Sequence, residues 1–372
     1  MTQFQNGVRA IVESPPAFGE WLEVAEGIFW ARIALPFRLN HVNVYLIDDG
    51  SSWNIVDTGL SNNAAQVAWE RLLSGRMAGR TISKIIVTHH HPDHVGLATW
   101  LADRGGAEVV MSGTEYLLGL TYWLDSDAMK ADHYREFYRA RGLEAEIAES
   151  ILDRSARYQS LTSPLPFSFR RLLHGDRLKL NGRTLEVITG GGHAPEQLLL
   201  YCRESGVFFA GDQIMLGITP NVSVSPRNPN GDVLSLFLAS LRALRSDINE
   251  GALVLPGHNL PFIGLSKRVD EIDRHHEARL EDIVQFCARA SVCRGSFADP
   301  FPASHRSLCH GACVRGGMRA CQSPARARQN RHYYRRRRCT TIHVAADRSF
   351  SGLVSLQCVT RGRGRAGIRK EG

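Results

Sequence analysis

Apolar positions along the chain fall into short runs whose period changes. EGIFWARI and HVNVYLIDD read as two successive strands, and WNIVDTG as a third that ends in Asp-Thr-Gly. SNNAAQVAWERLL changes to helical spacing behind a polar start that offers an N-cap. ISKIIVT is apolar and β-branched, as a buried strand should be. VGLATWLADRG predicts a helix closing at glycine, and AEVVMS another strand. Residues 114–160 are helical in pattern and rich in aromatics, among them Tyr116, Tyr122, Trp123, Tyr134, Phe137, Tyr138 and Tyr158. Strands then return in DRLKL, TLEVIT, QLLLYC and GVFFAGD. DVLSLFLASLRALR is amphipathic, GALVLPGH is a strand entering a loop, and GLSKRVDEIDRHHEARLEDIVQFC is a long helix.

This order is α/β in class. Strands often follow strands, which argues against a purely doubly wound parallel sheet. No internal repeat of fixed period is present. The 372 residues are 43% hydrophobic and 22% charged, which excludes a disordered chain, a collagen-like fibre and a small disulfide scaffold. The apolar runs are far shorter than the ~18 residues of a membrane span. MTQFQNGVRAIVESPPAF lacks the apolar core of a signal peptide, so the expected compartment is the cytoplasm, with no membrane partner.

The net charge of +8 hides two compositions. Residues 288–372 hold 18 of the 45 Lys and Arg but only 3 of the 37 Asp and Glu. Residues 1–287 therefore carry 27 basic against 34 acidic side chains. Cys202 and Cys287 are the two cysteines of the first part, and six more follow. The chain accordingly divides into an N-terminal extension (1–19), a main domain (20–287) with a helical insert at about 114–160, and a basic Arg/Cys-rich tail (288–372).

The main chemical signal is His89-His90-His91-Pro92-Asp93-His94, at the end of an apolar strand. On an extended segment alternate side chains share a side, so His89 and His91 face one way and His90 the other. Asp93 and His94 stand where the chain turns into a helix and can aim back at the same volume. Imidazole and carboxylate suit Zn²⁺, Fe or Mn. His193 in GGGHAPEQ, Asp212 in GVFFAGD and His258 in LVLPGH each lie at a strand end in a glycine-containing turn. The value of these positions is collective, because all would converge on one edge of the sheets. Asp57 in IVDTG either accepts a ring N–H from a ligating histidine or caps its own turn, and the two roles are compatible.

HHHPDHVG matches the HxHxDH motif of the metallo-β-lactamase superfamily. GGGHAPE, AGDQ and PGHN match its remaining ligand motifs in order, so residues 20–290 resemble that family. The resemblance implies a four-layer αββα sandwich and a two-metal site. By carry-over His89, His91 and His193 hold one metal, Asp93, His94 and His258 hold the second, and Asp212 bridges them with a water or hydroxide. It also places Asp57 beneath the site and makes Asp93 and Asp212 the catalytic carboxylates. No G-x-S-x-G elbow is present, and a bridged hydroxide needs no protein nucleophile.

The best-known bacterial β-lactamases lack the bridging Asp and use a Cys ligand, so Asp212 argues against β-lactam hydrolysis. NVSVSPRNP, PGHNLPF and RHHEARLEDI resemble the lactamase-β-like branch near glyoxalase II. The expected function is hydrolysis of a thioester or ester of a small acyl substrate. A phosphodiesterase or endoribonuclease using the same site is the alternative, and a binding protein with a vestigial site is another. Two divalent metal ions, with zinc first in order, are the expected cofactors. A small molecule is the expected partner, ahead of nucleic acid.

The insert should sit over the mouth of the site, with its aromatics either lining an acyl pocket or packing the helices down. His133 and Tyr134 are its polar candidates, and outside the insert Arg227, in VSVSPRNP, either binds an anionic group or lies on the surface. His275 and His276 are expected on a solvated helix face.

The tail has three readings. RRRR at 335–338 fits a nucleic-acid-binding segment, and Cys309, His310, Cys313 and Cys321 are a partial metal knuckle. The third is translation out of frame after about residues 288–300. One allowed codon choice for 307–332, read from the second base, gives RSATELAFAEACGHVNRLLARGRIA. That peptide has helical spacing and resembles the winged-helix-like segment that follows the metal domain in the lactamase-β-like branch.

Overall fold

The computed structural model describes residues 7–125, 132–292, 339–344 and 356–360. Two seven-stranded mixed sheets form the centre. In the first, Trp21–Ala25, Ile28–Ala34, His41–Asp48 and Ser52–Val56 run antiparallel in sequence order. Thr81–Ile86, Glu108–Met111 and Arg170–Arg171 extend it in parallel. The second is ordered Arg9–Ala10, Phe262–Ile263, Leu253–Pro256, Val207–Gly211, Gln197–Cys202, Arg183–Gly190 and Arg177–Leu180. Its one parallel pair is Val207–Gly211 with Leu253–Pro256.

The central strands are apolar on both faces because both faces are buried. Tyr45 and Ile47 point between the sheets to meet Val187, Leu200 and Phe209. Val42, Val44 and Leu46 on the same strand point outward, into a core shared with Trp69 and Leu101 of the helices Asn63–Ser74 and Ala98–Gly105. On the far side Leu199, Tyr201 and Phe208 pack under Phe237 and Leu241 of Val233–Asp247 and Val269 of Leu265–Val292. Helix, sheet, sheet and helix thus form the expected αββα sandwich.

Three features differ from the sequence pattern. Trp21–Ala25 is an added strand, with Trp21 stacked on Phe29 at 5.0 Å between ring centroids. Within the N-terminal extension, Arg9–Ala10 pairs with the edge strand Phe262–Ile263, and Val8 is buried beside it. His276 is not on a solvated face: it is buried, donates from Nδ1 to the Ile272 carbonyl at 2.9 Å and meets the Phe237 ring. His275 is exposed as expected.

The insert comprises the helices Gly113–Leu124, Asp132–Arg139, Ala145–Ser155 and Tyr158–Leu161. Most of its aromatics pack it down: Tyr116, Tyr134, Phe137 and Tyr158 are buried. No helix among the described residues is long and apolar enough to cross a membrane. In the tail Cys339–Val344 pairs antiparallel with Leu356–Thr360. The Cys309, His310, Cys313 and Cys321 group, the arginine run 335–338 and the segment read out of frame at 307–332 lie outside the described residues.

Candidate metal centre

All seven candidate ligands stand at strand ends on one edge of the sandwich. Pro92 opens the short helix Pro92–Val95 directly after His91, a position where its missing N–H costs nothing. The His94 N–H donates to the His91 carbonyl at 2.9 Å, and this tight turn swings Asp93 and His94 back over His89. Asp212 is fixed through its N–H, which donates to Oε1 of the fully buried Gln197 at 2.8 Å. The His258 loop is clamped by strand His41–Asp48. Asn43 Nδ2 donates to the Pro256 and Asn259 carbonyls, and the Tyr45 hydroxyl donates to Pro256 at 2.7 Å.

The ring nitrogens are sorted by their partners. His94 Nδ1 donates to Asp57 Oδ2 at 2.8 Å, His193 Nδ1 to the Asn221 carbonyl at 2.8 Å and His258 Nδ1 to the His41 carbonyl at 2.7 Å. His89 Nδ1 lies 2.9 Å from the Thr88 hydroxyl, which in turn reaches Asp57 Oδ2 at 2.9 Å. Each of these rings therefore carries its proton on the outer side and presents Nε2 inward. His91 instead turns Nδ1 toward His89 Nε2, at 2.9 Å, and His193 Nε2 lies 3.3 Å from the same atom. Tetrahedral zinc–imidazole bonds place ligand nitrogens ~3.3 Å apart. The three inward nitrogens thus converge at close to the spacing of ligands on one cation.

Three groups emerge, each with its ligand atoms within 4.8 Å of one another: His89, His91 and His193; Asp93, His94 and His258; and His89, His94 and Asp212. Asp212 spans the first two. Its Oδ2 lies 3.5 Å from His193 Nε2 and 3.3 Å from His258 Nε2, and its Oδ1 is 3.5 Å from His94 Nε2. His94 Nε2 and Asp212 Oδ1 are buried without a hydrogen-bond partner. Buried polar atoms are rarely left so, and a divalent cation between them would satisfy both. Gly257 leaves the room this requires, since a Cβ there would stand 2.2 Å from Asp212 Oδ1.

Electrostatics divide the site. Burial pushes His89, His91 and His193 toward the neutral form, and the neighbouring imidazoles add to this for His89 and His91. Burial also opposes charge on His258, but Asp212 and Asp93 outweigh it and carry that imidazole up to about 10. His94 is likewise raised against its burial, by Asp212, Asp57 and Asp93. Burial would raise Asp93, yet His94 and His258 hold it down at about 2. In the metal-free protein the carboxylates thus keep protons on the two imidazoles that a cation would displace.

Asp57 accepts from Thr88 and His94, the first of its two expected roles, and it occupies a left-handed backbone turn at φ 61. Thr88, Gln197 and the carbonyls of His41 and Asn221 were not singled out from sequence. Neither was Glu115, a fully buried carboxylate beside His90. Of the polar candidates in and near the insert, Tyr134 is buried among Leu152, Tyr122 and Tyr138 and His133 is exposed. The Arg227 guanidinium lies 5.0 Å over the Tyr122 ring, which is 5.4 Å from the His90 ring.

Fold and side-chain set together define a metal-dependent hydrolase scaffold. The chain belongs to the metallo-beta-lactamase superfamily, whose model matches residues 38–258. It is 26% identical over 273 residues to the probable metallo-hydrolase YqjP of Bacillus subtilis (strain 168), covering 69% of this chain and 79% of that one. It is 25% identical over 252 residues to a beta-lactamase-like protein 2 homolog of Caenorhabditis elegans, covering 67% and 66%. The crystal structure of a beta-lactamase domain protein from Burkholderia ambifaria superposes with a TM-score of 0.67 at 30% identity, over 94% of this chain and 98% of that one.

Proposed function

We propose that the chain is a binuclear metal-dependent hydrolase acting on a thioester or ester of a small acyl substrate. The observation that carries this is the convergence of inward ring nitrogens and carboxylate oxygens around Asp212, with His94 Nε2 and Asp212 Oδ1 left unpartnered. His89, His91 and His193 would hold one cation, Asp93, His94 and His258 the other, and Asp212 would touch both. Zinc is the first candidate for this donor set, with iron or manganese next. Bound there, two divalent cations supply an acidified water near neutral pH and an electrophilic hold on the carbonyl oxygen.

The chain's own groups do the rest. Asp57, Thr88, Asn221 and His41 fix the tautomers and directions of four imidazoles. Asp93 is the more exposed of the two inner carboxylates, with 15% of its side chain accessible against 8% for Asp212. It is therefore the carboxylate placed to accept a hydrogen bond from an attacking water and orient it. Net reaction is one water consumed, with an acid and a thiol or alcohol released. Tyr122 beside His90, and the acidic balance of residues 1–287, favour an acyl over a polyanionic substrate.

The test is a screen of the metal-loaded protein against thioesters, esters and phosphodiesters. Turnover of acyl substrates that is lost in Asp93→Asn supports the reading. Turnover confined to phosphodiesters moves the protein to the nuclease alternative. No turnover by a fully loaded protein favours the binding role.

A further inference from the structure

Glu115 belongs to the first turn of the helix Gly113–Leu124, yet it is fully buried. The helix does not need it as a cap, because Ser112 accepts the Glu115 N–H through its own hydroxyl. Nor, among the described residues, does it pair with a lysine or arginine. Its carboxylate is satisfied by the two loops that carry candidate ligands. Oε2 accepts from the His90 N–H at 3.1 Å and from His90 Nδ1 at 2.5 Å. Oε1 accepts from the Glu196 N–H at 2.8 Å. Glu196 answers by accepting the Thr114 N–H at 3.2 Å.

The placement of those partners gives the contact its meaning. His90 stands between His89 and His91, and Glu196 is three residues beyond His193. The three flanked histidines are the first ligand group. The other side of His90 is held as well: its carbonyl accepts from the Tyr158 hydroxyl at 2.7 Å. An ionised carboxylate in an apolar interior is costly unless several charged hydrogen bonds satisfy it. Here three such bonds exist, and all run to the two ligand loops. An apolar side chain at this position would fill the same core but would leave the loops without a common anchor.

We infer that Glu115 is a positioning residue for the metal site, a buried carboxylate that sets the spacing of the His89–His91 pair from His193. The inference rests on the metal-hydrolase reading given above. It also gives the insert a function: the helices pinned over the site hold the first ligand group in register.

The experiment compares wild type with Glu115→Gln and Glu115→Asp. Zinc affinity is measured by competition with a chromophoric chelator, and the visible spectrum of the cobalt(II)-loaded protein reports ligand geometry. Urea unfolding of each metal-free protein gives a separate measure of the fold. The expected result is an affinity about 10- to 100-fold weaker in Glu115→Gln, with a changed cobalt spectrum. Glu115→Asp, which keeps the charge but shortens the reach, should fall between. Wild-type affinity and spectrum in both variants would overturn the proposal. So would an affinity loss that only mirrors lost folding in both variants. Failure of wild type itself to bind zinc or cobalt would instead sink the underlying metal reading, and the proposal with it.

Discussion

Asp57 Oδ2 lies 2.8 Å from His94 Nδ1, and Asp57 holds a left-handed backbone conformation at φ 61 to place it there. The same carboxylate accepts the Thr88 N–H at 2.8 Å, so one side chain orders the ends of two neighbouring strands. Asn tolerates positive φ better than most residues, so Asp57→Asn removes charge with little added backbone strain. Loss of that charge should weaken metal binding about 10-fold or more through His94. A chelator titration that resolves the two binding steps checks this. The step assigned to Asp93, His94 and His258 should weaken most.

Gly96 lies behind the ligand turn, where a Cβ would stand 2.4 Å from the Pro92 carbonyl and 2.5 Å from the Gly59 carbonyl. Both neighbours are backbone and cannot rotate away. Gly96→Ala should destabilise the metal-free protein by about 3 kcal/mol, the upper part of the range for overpacking. Urea unfolding measures it, and a change below ~0.5 kcal/mol would contradict the close packing.

Trp69 is fully buried and donates from Nε1 to the Thr58 carbonyl at 2.7 Å. Thr58 follows Asp57, so the outer helix supports the turn that carries the carboxylate. Trp69→Phe leaves that carbonyl unpaired and should cost about 1–3 kcal/mol. Because the turn loosens, zinc affinity should fall in the same variant.

Asp48 pairs with Arg80 at 2.7 Å, and that hydrogen bond, more than burial opposes it, holds the carboxyl below its usual range. A depressed carboxyl contributes stability above its unfolded pKa and loses it as pH falls through the folded one. The pair is about a quarter to a third exposed, so its contribution should be at most ~1 kcal/mol. Asp48→Asn should therefore be slightly less stable than wild type at pH 7. The gap should close as pH drops below ~4. Unfolding curves at pH 7 and pH 3 decide it, and a gap that persists at pH 3 would contradict the ion-pair account.

The sandwich was legible because its strands keep a two-residue period even where both faces are buried. In HVNVYLID the alternate positions serve two different cores, so the run looks uniformly apolar and still marks a strand. The candidate ligand positions were legible because HHHPDH concentrates donors in one turn and the others follow apolar strands. Trp21–Ala25 escaped because an edge strand has little to bury, and its residues are only partly covered or exposed.

Glu115 escaped for a different reason. In sequence it is an acid in the first turn of a helix, which is ordinary. Only the packing of that helix against the His90 loop turns it inward. His276 shows the same limit, since charges surround it in sequence while Phe237 meets it in space. The supporting carbonyls of His41 and Asn221 leave no mark on side-chain identity at all.

The central claim is that two cations share Asp212. Elemental analysis of the purified protein beside Asp212→Ala, each incubated with zinc and freed of excess, tests it most directly. The account predicts about two metals per wild-type chain and a clear fall in the variant. A folded wild-type protein that retains no metal would contradict it, and so would an Asp212→Ala variant that keeps the full complement.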